Sequence, residues 1–166
     1  MRRIAIFSAL AVLILTSVFV AAHQQHGSSQ GRCATVMGFD QKRTAHHFSL
    51  FNDGGAIEVD VKDPADTTNR DAIRSHLPHI ATMFASGNFD APMLVHDSNH
   101  VPGTKVMATL KDRIRYAYVE VPAGGRVNIM TSDREALNAV HQFLKFQIAE
   151  HKTGDSIAVQ SRCRTA

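Results

Sequence analysis

The sequence predicts an α+β fold, in which a four-stranded antiparallel sheet from two ββα units carries two helices on one face. Alternating apolar side chains flank two turns, NDGG and PAGG, as they do in β-hairpins. An apolar pattern of helical spacing follows each hairpin, and the two helical segments open alike, with RDAI and REAL. A two-layer domain buries the apolar faces of all these elements in one core.

The first 22 residues have the features of a signal peptide. Two arginines precede an uncharged apolar run from Ile4 to Val20, and Val20 and Ala22 occupy the positions that a signal peptidase reads. We therefore expect an exported protein, periplasmic or secreted, with no membrane contact beyond this segment. The alternative is that the segment stays uncleaved as an anchor.

The charge of the mature chain is close to zero. The formal net charge is +3 with histidines neutral, and loss of the two arginines in residues 1–22 lowers it to +1. No basic run suggests a nucleic-acid partner. The remaining chain of about 140 residues fits one domain. We expect residues 23–43 to be irregular, residues 44–152 to form the single ββα-ββα domain, and residues 153–166 to be a C-terminal tail.

The first unit consists of a hairpin and a helix. Alternation places Phe48 and Leu50 on one face of the first strand, and a Thr68-x-x-Asp71 capping pattern opens a helix that ends near Phe84. Pro78 lies within this helix and predicts a kink. A connection of more than 20 residues follows, which we expect to be a loop and then a short helix through Val106 and Leu110.

The second unit repeats this order. The segments IRYAYVEV and RVNIMT flank the turn PAGG, and a Ser132-x-x-Glu135 pattern opens a helix that continues to about His151.

Two cysteines, Cys33 and Cys163, flank the domain. In an exported protein an even pair without C-x-x-C spacing favours a disulfide, which would join the two tails. Two free thiols are the alternative.

The chain resembles a family of small exported bacterial proteins for which no activity is established. The resemblance rests on MGFDQKRTAHHFSLFNDGGAIEV, RDAIRSHLPHIATMF and ALNAVHQFLKFQIAEHKTGD, and it covers roughly Met37 to Asp155. Some relatives are labelled aspartate carbamoyltransferase. That enzyme class needs two parallel-sheet domains, whereas this chain has hairpins, so the resemblance implies no activity here.

Histidines are the candidate functional residues. His46 shares the core-facing side of its strand with Phe48, and His76 and His79 are one helical turn apart near the apolar stripe of the first helix. On the last helix, His141 falls on the apolar side. If both helices cover the sheet, His46, His76 and His141 could meet, with His79 near the rim.

Three imidazoles with an open position are typical of a catalytic or transport metal site, and an oxidising compartment suits zinc or copper. Further ligands could come from His47, although it faces the other way, from His151 on the last helix, and from Met83, whose thioether would favour copper. His96 and His100 are interpreted as loop residues.

The sequence therefore predicts an exported domain that binds zinc or copper through histidines, as a carrier, sensor or scavenger and not as a catalyst. The alternative is a structural or partner-binding domain whose histidines form hydrogen bonds with other groups of the same domain. A metal-dependent hydrolase is a third interpretation. The oligomeric state is open.

Overall fold

A computed structural model describes residues 37–162 and contains one antiparallel sheet with strand order β1-β2-β4-β3. Its strands are β1 (Thr44–Phe51), β2 (Gly54–Val61), β3 (Arg115–Val121) and β4 (Gly124–Met130). Long helices follow each hairpin: α1 (Thr67–Ala85) after β2, and α4 (Arg134–His151) after β4. The predicted α+β class and the antiparallel four-stranded sheet are confirmed.

Each long helix packs against strands of the other unit. Helix α1 makes most of its sheet contacts with β3 and β4, and α4 makes its sheet contacts with β1 and β2. The two ββα units therefore exchange their helices across one sheet. Neither hairpin is covered chiefly by its own helix, so the two units share a core and cannot bury it separately.

The connection between the units contains more helix than expected. Besides α3 (Thr104–Thr109) and a 3-10 turn (Lys111–Arg113), residues Asp90–His96 form helix α2, where the sequence had predicted a loop. Pro92 is compatible with this helix because it lies in the first turn, where backbone N–H groups have no helical partner.

The long helices begin at aspartates that the two capping patterns did not identify. The carboxylate of Asp66 accepts a hydrogen bond from the backbone N–H of Asn69, and that of Asp133 accepts from Glu135 and Ala136. Predicted caps at Thr68 and Ser132 are wrong by one or two residues. A carboxylate is favoured at this position because it also interacts with the positive end of the helix dipole.

The core lies between the sheet and the helices. Side chains with no solvent exposure come from both units, among them Leu50, Ile73, Ile129, Val140 and Leu144. Within residues 37–162, no helix is long and apolar enough to cross a membrane.

The C-terminal tail is attached to the edge of β1. The backbone of Gln160 accepts a hydrogen bond from Asn52 N–H and donates one to Leu50 carbonyl oxygen, each at 2.9 Å. Cys33, Cys163 and the predicted signal segment lie outside the described residues.

Candidate functional site

A half-open pocket of about 70 Å³ lies between the helices and the helix-covered face of the sheet. Its wall is apolar and includes Phe48 and Ile57 from the sheet, Ile80 from α1, Val95 from α2 and Phe143 from α4. The polar side chains of the wall are four histidines and one glutamine: His46, His76, His96, His151 and Gln147. No aspartate, glutamate, lysine or arginine of the described region lines it.

His46 and His151 are neighbours in this wall. Their rings are stacked with centroids 5.2 Å apart and an interplanar angle of 21°. Alternation along β1 places His46 on the same face as Phe48, as predicted, and the Phe48 ring lies 5.7 Å from that of His151. His151, named only as a further ligand from the sequence, is the last residue of α4 and one of the central groups of the site.

His96 adds a third imidazole beside His151. The two ring centroids are 5.1 Å apart at an interplanar angle of 84°. Nε2 of His96 lies 3.1 Å from the side-chain oxygen of Gln147. Because an amide oxygen only accepts hydrogen bonds, Nε2 of His96 is the donor in this contact.

His76 and His46 both lie near the ring of Phe39. The Phe39 ring centroid is 5.8 Å from that of His76 and 6.0 Å from that of His46. His79, one turn along α1, is exposed and is not part of the wall. Met83 packs against the apolar core and does not line the pocket.

His141 does not join the other histidines. Its Nε2 lies 2.9 Å from the carbonyl oxygen of Phe51 and 3.1 Å from that of Gly54, at the turn between β1 and β2. Phe51 is five residues along β1 from His46, a separation of roughly 16 Å in a strand. The expected meeting of His46, His76 and His141 is therefore wrong, because His141 is held at the other end of β1.

His47 lies on the opposite face of the sheet, as alternation predicts. It is exposed, and its Nδ1 is 3.3 Å from Oδ1 of Asp155 in the C-terminal tail. Burial opposes ionisation of Asp155, but hydrogen bonds from Phe48 N–H, Thr153 and His47 outweigh it and lower the pKa of this carboxyl.

Burial keeps three of the pocket imidazoles, those of His46, His76 and His151, uncharged. It lowers the pKa of His46 to about 3, with further contributions from His151, His76 and His47, because several imidazolium ions would repel each other. Burial and the neighbouring His96 lower the pKa of His151 to about 4. The pKa of His76 is also lowered by burial and by His79. At neutral pH these three side chains are therefore neutral.

The histidines differ in how their ring nitrogens are satisfied. His141, His96 and His47 have the hydrogen-bond partners given above. In contrast, His46, His76 and His151 make no hydrogen bond to any residue within 37–162, and their nitrogens are not among the fully enclosed polar atoms of this region. Hydrogen bonds within the domain therefore explain the first three histidines, whereas the last three have no such partner among the residues that the structure describes.

The histidine positions do not form a ready metal centre. Among the residues that the structure describes, no three histidine, cysteine, aspartate or glutamate side chains stand where they could hold a metal ion together.

Sequence reasoning missed the roles of His96 and Gln147. The spacing of Ala91 and Val95 is helical and could have placed His96 on a pocket-facing side, but Pro92 favoured a loop. Gln147 lies three residues after Leu144 and four before His151, so it belongs to the apolar stripe of α4.

No family model, no curated protein and no solved structure matches this chain. The candidate site is therefore defined by its geometry.

Proposed function

We propose that this domain, exported as its first 22 residues predict, binds a small, uncharged and mainly apolar molecule in the pocket, as a carrier or sensor. The observation that supports the proposal is an apolar pocket whose only polar side chains, within the described residues, are four histidines and one glutamine. Concave apolar sites with a few convergent polar groups are the usual form of small-molecule sites.

The absence of charged groups from the described wall defines the ligand class. A carboxylate or ammonium group placed here would lose its hydration without gaining an opposite charge, which is costly in an apolar site. An apolar molecule would instead gain free energy from the surface that it buries against Ile57, Ile80 and Phe143.

The same wall favours binding over catalysis. A general base works best when its pKa is near the working pH, whereas the pKa values of His46 and His151 are about 3 and 4. Both imidazoles are thus weak bases at neutral pH. This weakness argues against a role for either histidine as a general base.

The test uses methylenecyclopentane, a compact apolar probe, and the mature chain labelled with ¹³C and ¹⁵N. We expect the probe to shift the NMR signals of Ile80 and Val95 in the wall. Ala91→Leu should abolish these shifts because Ala91 is buried in the wall and the longer side chain occupies the space. Ala85→Leu, a matched change at an exposed position outside the wall, should leave them intact.

Failure of the probe to shift any wall residue of the wild type would contradict the proposal. So would equal binding by the wild type and Ala91→Leu, since the probe would then occupy another place.

A transition metal is the second candidate ligand, and one contact favours it. Histidines that bind metals commonly donate the other ring N–H to a carbonyl or carboxylate oxygen, as His96 does to Gln147. His151 lies 5.1–5.2 Å from the rings of His96 and His46, and neutral imidazole is the metal-binding form. Zinc or copper would require these rings to rotate until their nitrogens converge.

The metal hypothesis is tested by equilibrating the untagged mature chain with zinc or copper and measuring the bound ion. If the site is at the pocket, His151→Ala should weaken binding at least about tenfold. His141→Ala should not, because His141 is bonded to backbone carbonyls elsewhere. A wild-type chain that retains neither ion would exclude this candidate, as would equal loss in both variants.

A further inference from the structure

We infer that the ligand of this pocket carries one uncharged oxygen, as a small alcohol or ketone does, and that His46 and His151 bind this oxygen. The inference rests on the proposed function and specifies its ligand class. It depends on imidazole nitrogens that have no hydrogen-bond partner within residues 37–162 and that an apolar ligand alone would cut off from water.

His46 and His151 have hydrogen-bonding capacity that no described residue uses. A neutral imidazole has one N–H donor and one nitrogen lone pair, and buried polar groups in a folded protein are normally paired, so a ligand that fills the pocket has to replace any hydrogen bonds that these nitrogens make to water. His46 and His151 are both partly buried in the wall, and neither has a hydrogen-bond partner within residues 37–162. By contrast, His141 and His96, which also lie between the helices and the sheet, are each hydrogen-bonded to a carbonyl oxygen.

His46 and His151 lie close enough together to bind one ligand atom. The rings of His46 and His151 are stacked with centroids 5.2 Å apart, so their donors and acceptors belong to one part of the wall. A hydroxyl oxygen can accept from one imidazole and donate to the other. A ketone oxygen has two lone pairs and can accept from both, because a neutral imidazole can carry its proton on either nitrogen.

The charge of the wall favours an uncharged oxygen. A carboxylate oxygen would also accept these hydrogen bonds, but the described wall has no lysine or arginine to balance it, and burial keeps both imidazoles neutral. The uncharged oxygen of an alcohol or ketone can accept the same hydrogen bonds without the cost of burying an unpaired charge. The apolar remainder of the ligand would lie against Ile57, Ile80 and Phe143.

The experiment compares cyclopentanone with methylenecyclopentane, two molecules of the same shape that differ by an oxygen in place of a CH₂ group. Their dissociation constants are measured by NMR titration for the wild type, His46→Phe and His151→Phe. The quantity compared is the ratio of the dissociation constant of cyclopentanone to that of methylenecyclopentane. Each variant should raise this ratio by about 3- to 10-fold, the effect of losing one neutral hydrogen bond. His79→Phe, the same change at an exposed histidine outside the wall, should leave the ratio unchanged.

A second readout follows the imidazole nitrogens directly. Cyclopentanone should shift the ring ¹⁵N signals of His46 and His151 in the wild type, whereas methylenecyclopentane should shift mainly carbon signals of the wall. This readout needs no substitution, so it stands even if a variant fails to fold.

The outcomes separate the two proposals. If methylenecyclopentane binds but neither variant changes the ratio and no ring nitrogen shifts with cyclopentanone, the oxygen inference is wrong and the apolar pocket stands. If neither probe binds the wild type, the proposed function itself fails.

Discussion

The imidazole rings of His46 and His151 stack at 5.2 Å, although one residue belongs to the first strand and the other ends the last helix. Helix α4 covers β1 and β2, so its final residue reaches the strand that carries His46. The exchange of helices between the two ββα units therefore builds the candidate site, and a perturbation of either unit should affect it.

Stability should depend on pH through these two histidines. Their folded-state pKa values, about 3 for His46 and about 4 for His151, lie below the value of about 6.5 for an unfolded chain. Between these values the unfolded chain binds protons that the folded one does not. Stability is thus fully present above about pH 6.5 and falls as pH decreases toward 4, by up to about 1.4 kcal/mol per pH unit for each histidine.

Urea unfolding between about pH 7 and pH 5 measures the slope of the free energy of unfolding against pH. The double variant His46→Phe/His151→Phe is the reference, because Asp60 acts in the opposite direction: burial, followed by Glu58, raises the pKa of its carboxyl to about 6. The wild type should lose more stability than the double variant on acidification. Identical slopes would show that the two imidazoles are not buried in neutral form.

The shared core predicts large losses from truncations in either unit. Leu144 on α4 is fully buried and Ile80 on α1 is 8% exposed, and both belong to one apolar cluster. Leu144→Ala and Ile80→Ala should each lower the free energy of unfolding by about 2–5 kcal/mol in a single cooperative transition. Leu94→Ala, at a side chain that is 59% exposed, should cost less than about 0.5 kcal/mol. Separate unfolding of the two units would be incompatible with exchanged helices.

Gly103 should tolerate no side chain. Its φ is +82°, and a Cβ at this position would lie 2.1 Å from the carbonyl oxygen of Ala139, where α3 approaches α4. Gly103→Ala should therefore destabilise the fold by more than the roughly 1–3 kcal/mol that the backbone conformation alone costs. Gly154→Ala is the matched control, because Gly154 has φ +77° and a Cβ there would meet no atom within 4 Å. Equal melting temperatures for the two variants would show that the contact with α4 is unimportant.

Arg162 should hold the tail on the sheet. Its Nε donates to Asp53 at 2.8 Å, its terminal nitrogens donate to the side chain of Asn128 and the carbonyl of Gly55, and its guanidinium lies 4.3 Å from the centre of the Phe51 ring. We expect Arg162→Met to accelerate amide hydrogen exchange at Asn52, whose N–H is bonded to the tail.

The control for this variant is Arg134→Met, because Arg134 is exposed at the start of α4. Arg134→Met should leave exchange at Asn52 unchanged. Equal exchange in all three proteins would mean that the tail is held without Arg162.

The fold was predictable because its signals are local. The alternation of Phe48 with Leu50, the glycine turns and the helical spacing after each hairpin depend on neighbours in the chain. The exchange of helices was not predictable in this way, since nothing within one unit shows which hairpin its helix will cover.

The candidate site was only partly predictable for the same reason. Alternation placed His46 and His47 on opposite faces of β1, and helical spacing placed His141 on the covered side of α4. Position along α4 decides which group each of its histidines contacts. His141 reaches the carbonyls of Phe51 and Gly54, and His151, almost three turns later, reaches His46. His96 was assigned to a loop that contains Pro92, whereas Pro92 occupies the first turn of α2, where a proline is tolerated.

The most direct test of the central claim, that the histidine-lined pocket is a binding site for an apolar molecule, is a crystal structure of the mature domain under xenon pressure. Xenon binds apolar cavities without needing hydrogen bonds. We predict xenon density in contact with Ile57, Ile80 and Phe143, and its loss in Ala91→Leu. A wild-type structure with no xenon at these side chains, or with the space filled by the protein's own side chains, would contradict the account.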